Sequence, residues 1–422
     1  MTSDLTAFDP DLAEAAAMES ERLASSIDLV ASLNVPSRAV LESQNSVFTY
    51  RRCEGYPGHR YHGGTKYLDI VENLARERAK QLFDAEYANV QPHSGVNANM
   101  AVYFAVLQPG DRLLSMNLSQ GGHLSHGHSA TASGRFYSSS TYGVDPSTGL
   151  IDYDQVRELA QQIQPQMIIC GASAYPRVID FAKFQQIAEE VGAYLLADVS
   201  HYAGLIAGGA YPSPVPHCDF VTFTTYKTLR GCPGGTILAR SKYGKAIDSA
   251  VFPGTQGTMH TELIAGKAMT FRLAMTESFS KYAHQTVANA KTLSSALQDR
   301  GYQIVTSGTD CHIVLVDLRS RDITGKQAQE ALEKAGIVTN KNLVPFDSRS
   351  PNTTSGLRLG TAGMTTRGFR QAEMEETARL IGAILDKPED SATLQSVREK
   401  VADFCAKFPF DWEGKSSEQC EG

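Results

Sequence analysis

Between Tyr87 and Ala239 short apolar runs alternate with helical patterns, and this alternation constrains the fold more than any other feature of the sequence. The runs are Arg112 to Met116, Met167 to Cys170, Tyr194 to Ala197, Phe220 to Thr224 and Thr236 to Ala239. Apolar runs of this length, each followed by a helix-forming stretch, predict an α/β fold with a mostly parallel sheet flanked by helices. At 422 residues the chain has room for two domains. After a long helical stretch from Glu262 to Arg300, strand candidates at Gln303 to Val305 and His312 to Asp317 and a helix from Gly325 to Ala335 predict a smaller α+β domain. Asp11 to Ser26 and Ala392 to Phe408 have amphipathic patterns, Asp69 to Phe83 is helical, and the Gly- and aromatic-rich segment Glu54 to Gly64 predicts a loop. From Trp412 onward the chain is polar and expected to fray. The expected division is a helical arm over 1–28, a large domain over 29–275 and a small domain over 276–422.

Composition narrows the partners. A formal charge of -7 is mild for this size, and no dense Lys/Arg stripe argues for nucleic acid. No apolar stretch reads as a membrane span, and the start carries no leader pattern, so a cytoplasmic protein is expected. Seven cysteines without paired spacing predict free thiols in a reducing compartment.

Lys227 lies in Phe223-Thr-Thr-Tyr-Lys-Thr-Leu-Arg-Gly231, after a β-prone run and before a Gly-rich turn. An amine condenses with an aldehyde only when unprotonated, so a lysine desolvated in such a place suits a Schiff base with pyridoxal 5'-phosphate (PLP). A lysine taken at random is more often a surface group, and a second anchor is needed. Leu195-Leu-Ala-Asp-Val-Ser-His201 supplies one: Asp198 at a strand's carboxyl end can hold a pyridine nitrogen protonated. Ser94 and Gly95 precede a helix-forming run, where free backbone N–H groups suit a phosphate, although simple N-capping explains the serine equally well. His123, His126 and His128 follow Gly121-Gly122. No neighbouring cysteine or carboxylate completes a coordination shell, so no metal is expected. His123 is expected to stack on a ring, and His126 and His128 to be structural or solvated. Arg358, in an apolar strand-like run, suits either a substrate carboxylate or an internal ion pair. Glu54, with Tyr61 alongside, is an acid–base candidate in a loop that glycine and proline also explain.

In this order, Glu54-Gly-Tyr-Pro-Gly58, Tyr87-Ala-Asn-Val-Gln-Pro-His-Ser-Gly95, Tyr142-Gly-Val-Asp145, Gly171-Ala-Ser-Ala-Tyr175, Lys227-Thr-Leu-Arg-Gly231 and Arg358-Leu-Gly-Thr361 are specific in combination. Up to about Leu385 the chain resembles serine hydroxymethyltransferase, a fold-type-I PLP-dependent transferase. The resemblance implies a mostly parallel seven-stranded sheet in the large domain and a smaller α+β C-terminal domain. It implies that Lys227 carries PLP, Asp198 pairs with the ring nitrogen, His123 stacks on the ring, and Ser94 and Gly95 hold the phosphate. Ser173 and His201 are implied near the ring oxygen, with Thr224 and Gly257 also at the cofactor. Arg358 is implied to bind the amino-acid carboxylate, Glu54 to be the catalytic carboxylate with Tyr61 beside it, and Ser32, Arg52 and His62 to lie on the substrate side. A homodimer or tetramer with shared active sites is implied as well.

The departures from the family concentrate at the site. Leu33 replaces a carboxylate, Arg52 and His62 replace tyrosines, and Tyr226 replaces the histidine before the PLP lysine. Cys232-Pro233 replaces Pro-Arg, Val96 a serine, Gly257-Thr-Met-His-Thr261 a Gly-Gly-Pro-Leu-Met run, and Asn352 the folate-site phenylalanine, whereas Leu118 and Asn340-Lys-Asn342 keep parts of the folate pattern. The expected function is therefore PLP chemistry on a substituted α-amino acid in antibiotic or other secondary-metabolite biosynthesis. β-Elimination with C–S cleavage, decarboxylation coupled to deamination, and aldol-type cleavage are the candidate reactions. The alternatives are a genuine serine hydroxymethyltransferase using serine and tetrahydrofolate, and a non-catalytic PLP-binding scaffold.

Overall fold

The computed structural model describes residues 4–410. Its main sheet has seven strands, β1 (Tyr87–Asn89), β2 (Arg112–Met116), β3 (Ser138–Tyr142), β4 (Met167–Gly171), β5 (Tyr194–Asp198), β6 (Phe220–Thr224) and β7 (Gly235–Ala239), in the order β1-β7-β6-β5-β4-β2-β3. Strands β6, β5, β4, β2 and β3 are mutually parallel, and β7 runs antiparallel to both its neighbours. An antiparallel neighbour needs only a short connection, whereas a parallel one needs a crossover. The β6–β7 link therefore stays at the carboxyl end of the sheet, and Lys227 sits in it.

Every residue of β4, β6 and β7 is buried, which is why these strands read as continuous apolar runs. Side chains alternate between two cores. Ile168, Cys170, Ala197 and Phe223 face one, and Met167, Ile169, Leu196 and Phe220 the other. The edge strand β3 is Ser-Ser-Ser-Thr-Tyr and mostly exposed, a polar edge that resists pairing with other chains.

The smaller unit is a four-stranded antiparallel sheet of β8 (Gln303–Ile304), β9 (Ile313–Asp317), β10 (Asn340–Asn342) and β11 (Gly356–Gly360), in the order β8-β9-β11-β10. It packs with the helices Glu277–Gln298, Gly325–Lys334, Gln371–Asp386 and Ser391–Cys405 around a separate core. That core takes in Ile27 and Leu29, because Ile27–Asp28 pairs in parallel with Ile337–Val338. The chain just after the N-terminal helix Pro10–Ala24 thus lies with the C-terminal unit.

Two sequence expectations change in detail. The stretch from Glu262 to Arg300 is two helices, Thr261–Ala274 and Glu277–Gln298, because the Thr276 hydroxyl caps the second by accepting from the Phe279 N–H at 3.3 Å. The segment from Glu54 to Gly64 contains a hairpin, Gly55–Tyr56 against His59–Arg60. Arg60 anchors it through Asp69 at 2.8 Å and the buried Glu72 at 2.5 Å. Trp412 and the polar tail lie outside the described residues, as does Cys420; the other six cysteines are buried free thiols. Among the described residues no helix is long and apolar enough to cross a membrane.

Candidate active site

Strands β5 and β6 are parallel and in register at Asp198 and Thr222, so their carboxyl ends open on one crevice. Asp198 ends β5, Thr224 ends β6, and Lys227 follows directly. The crevice is lined by Ser94, Gly95, His123, Ser173, Asp198 and His201, and further by Thr224, Tyr226, Lys227, His126, Ser200, Ala172 and Val96. Residues far apart in sequence meet here because sheet topology brings loops from several strands to one end.

Lys227 is 7% exposed. Burial, with Arg358 adding to it, brings its ammonium down from 10.5 to about 8 although Asp198 opposes the shift. Its backbone carbonyl accepts from Asn34 Nδ2 at 2.8 Å. Asn34 Nδ2 also lies 2.8 Å from the Tyr282 hydroxyl, and its Oδ1 accepts from Thr366 at 2.7 Å, so the lysine's main chain is tied to the small unit.

Asp198 is surrounded by donors. Asn99 Nδ2 donates to Oδ2 at 2.8 Å, His126 Nε2 lies 3.0 Å from the same oxygen, and Ser200 donates to Oδ1 through Oγ at 2.6 Å and its N–H at 3.1 Å. Burial alone would raise this carboxyl, but the hydrogen bonds from His126 and Ser200 and the nearby histidines hold it well below the usual carboxylate range. His126 and His128, expected to be structural or solvated, divide between those two states. His126 is buried against Asp198, and only His128 is exposed. No local signal marks it, since its partner arrives from a strand 72 residues later. Its Nδ1 has no hydrogen-bond partner, so a proton belongs on Nε2, where it meets Asp198. Ligand atoms of His123, His126 and Asp198 lie within 4.8 Å of one another. The carboxylate that the sequence did not offer these histidines is supplied by β5.

Gly171, opposite Asp198, has φ +147, and a Cβ there would lie 2.2 Å from the Asp198 carbonyl oxygen. Only glycine lets β4 approach so closely. Ser94 is the N-cap of the helix Gly95–Val106, accepting from Asn97 N at 3.2 Å. The capping explanation therefore holds, while the start of this twelve-residue helix, Gly95 and Val96, lines the crevice. A Cβ on Gly95 would sit 2.8 Å from Thr224 Cγ2 and would fill this cradle.

His123 is brought down to about 4 by burial and by His126, so its ring is neutral, and its Nδ1 is held by Ser125. Ser173 donates to the Gly122 carbonyl at 2.7 Å, which fixes the glycine pair against the crevice wall. Arg358 donates through Nη1 to the Ser173 carbonyl at 2.6 Å and through Nε to Asn340 Oδ1 at 3.1 Å. Among the described residues no carboxylate lies within ion-pair distance of it, so the internal ion pair is not its role. Burial lowers the guanidinium to about 10. A cation in this condition presents its remaining donors to an anion from outside.

Other expected residues lie apart. Glu54, Tyr61, Arg52, His62, Ser32 and Gly257 do not line the crevice. Arg52 is bound to Glu262 at 2.9 Å, Tyr61 is 75% exposed with its ring edge on Phe252 at 5.7 Å, and His62 and Gly257 are exposed. Arg52 lies in a short strand, Arg52–Cys53, paired with Met259–His260, and Glu54 and Ser32 are half-buried, so these residues are positioned by contacts outside the main sheet.

A family model described as serine hydroxymethyltransferase matches residues 5–381. The chain belongs to this family. It is a fold-type-I PLP enzyme by fold, and its cofactor is pyridoxal 5'-phosphate. The crevice fits that group on its own chemistry: a buried lysine of lowered basicity, an ionised carboxylate at the floor, a neutral imidazole on one wall, and a helix N-terminus with a glycine-sized cradle. Serine hydroxymethyltransferase family enzymes bind amino-acid substrates, which agrees with a buried guanidinium that no carboxylate pairs, held against the carbonyl of the crevice-lining Ser173.

Proposed function

We propose that this enzyme binds a substituted α-amino acid by its carboxylate at Arg358 and cleaves a bond at Cα or Cβ in a reaction other than hydroxymethyl transfer to tetrahydrofolate. Arg358, a buried guanidinium with no internal anion beside the crevice of Lys227, is the observation that carries the amino-acid reading. When bound, the protonated pyridine ring of PLP supplies an electron sink for the bond that breaks.

In this reading Lys227 holds the cofactor aldehyde, and its lowered basicity keeps a fraction of the amine unprotonated near neutral pH. Asp198 would keep the ring nitrogen protonated, and the hydrogen bonds from Asn99, His126 and Ser200 hold it ionised for that role. Of the residues lining the crevice, His123 would face the cofactor ring, the Gly95 helix start and Ser94 would take the phosphate, and Ser173, His201 and Thr224 would border the ring. Glu54, Tyr61, Arg52, His62, Ser32 and Gly257 serve a site completed by a second copy of the chain, a role supported by their position away from the crevice of their own chain. A substrate other than serine and folate is favoured by Tyr226, which lines the crevice where the family has histidine, and by Arg52, which is engaged by Glu262. Asn340, which braces Arg358 and belongs to the retained folate pattern, favours the second reading, a genuine serine hydroxymethyltransferase.

Incubation with serine and tetrahydrofolate separates the two. The expected result is little or no glycine, with product formed from a side-chain-substituted amino acid detected by mass. Rapid glycine formation would overturn the proposal.

A further inference from the structure

His201 and His312 form an in-line pair buried beneath the crevice. His201 Nδ1 lies 3.4 Å from His312 Nε2, their rings are within 17° of parallel with centroids 5.6 Å apart, and both residues are almost completely buried. Planes so nearly parallel at so large a centroid separation place the rings side by side, in the arrangement of a nitrogen-to-nitrogen hydrogen bond. The same His312 Nε2 lies 3.1 Å from the carbonyl oxygen of Ala31.

A carbonyl oxygen can only accept, so His312 carries a proton on Nε2. His312 Nδ1 is buried with no partner, a tolerable state for a bare lone pair and a costly one for an N–H. Burial brings His312 down to about 3, so the ring is neutral with one proton. That proton is shared between Ala31 and His201, and His201 Nδ1 is therefore an acceptor. Burial and the charges of Lys227 and Arg358 hold His201 well below the usual histidine range, so it too is neutral. Its single proton must then be on Nε2.

We infer that His312 is a positioning residue: acting from the Ala31 carbonyl, it selects the Nε2–H tautomer of His201 and so makes that histidine a fixed hydrogen-bond donor at the crevice. The carbonyl comes from Ala31, two residues past Leu29, and His312 directly precedes β9; Ala31 and the neighbours of His312, Cys311 and Ile313, pack in the core of the main sheet. The donor character of a residue just past β5 is thus set by two segments distant in sequence, at Ala31 and at His312. The inference concerns the unliganded chain; its consequence for PLP rests on the reading that His201 borders the ring.

The test is nitrogen NMR of the apo-protein labelled with 15N-histidine, the His201 signal being assigned by its loss in His201→Asn. The expected result is a proton on Nε2 in the wild type, retained in His312→Gln, whose amide can place an N–H near the same point, and replaced by a tautomer mixture in His312→Leu. A wild-type His201 protonated on Nδ1 overturns the inference, as does a Leu variant that folds and leaves the tautomer unchanged. Should His312→Leu fail to fold, the wild-type and Gln spectra decide. With PLP added, affinity is expected to fall on the order of fivefold in the Leu variant and to stay within about twofold in the Gln variant; equal losses in both would overturn the positioning role. Absence of a lysine-bound visible band in the wild type would refute the cofactor placement while leaving the apo tautomer result standing.

Discussion

Lys227 should react with the PLP aldehyde as an amine with a midpoint near 8, and two substitutions should move that midpoint in opposite directions. Its ordinary value of 10.5 falls to about 8 on burial. At pH 7.5 roughly a quarter of the amine is then unprotonated, against about one part in a thousand for an ordinary lysine, a gain of about 250-fold in reactive species. Stopped-flow absorbance of PLP binding to apo-protein should show a rate climbing about tenfold per pH unit below the midpoint and levelling above it. Asp198 raises the midpoint and Arg358 lowers it. Asp198→Asn should therefore move the break to lower pH and Arg358→Met to higher pH. A break that stays near 10 in the wild type, or shifts of the same sign in both variants, would refute the assignment of burial and these two charges as its cause. Lys227→Ala should show no band at any pH.

Gly95→Ala places a methyl 2.8 Å from Thr224 Cγ2 and should weaken PLP binding on the order of tenfold, with Thr224→Ser in the same chain restoring it, as measured by equilibrium titration. Arg60→Gln strips a buried carboxylate of its cation, since Arg60 and Glu72 side chains are 3% and 1% exposed, and should cost about 3–5 kcal/mol in denaturant unfolding. Burial already raises Glu72 in the native state, and removing Arg60 raises it further. The native protein then binds more protons than the unfolded chain, so the lost stability should be partly recovered on acidification and be greatest above the raised native value. A loss independent of pH would argue against Glu72 as the source.

The sequence made the sheet legible because its central strands are buried on both faces, and β2, β4, β5, β6 and β7 each lie within a residue of their apolar runs, whereas the exposed edge β3 carries no such run. Asp198 and Lys227 were legible for the same reason: a polar residue at the end of such a run is conspicuous. What escaped were the partners that make those residues work. Asn99 lies inside an apolar helix, His126 in a loop with two other histidines, and His312 at a strand's start. Each gains its meaning from a contact across the fold, and periodicity carries no trace of that. The helix break at Thr276 was readable from a threonine followed by an acidic first turn. Lys267 is a further omission: wholly buried, it donates to the carbonyls of Val90, Pro92 and Gly235 at 2.5, 3.0 and 2.8 Å and looks in sequence like any helical lysine.

The pairing of Ile27–Asp28 with Ile337–Val338 has a consequence for synthesis. Ile27–Asp28 is made long before its partner, so it must wait through translation of the entire large sheet. Asn34, seven residues past Ile27, grips the Lys227 carbonyl, and the Ala31 carbonyl meets His312. The main sheet can therefore form first, with the segment carrying Asn34 held in place once Ile27–Asp28 has met Ile337–Val338. Fragments ending before Ile337 should retain the strands of the main sheet yet lack the partner of Ile27–Asp28, and so leave the Asn34 contact to Lys227 unsupported.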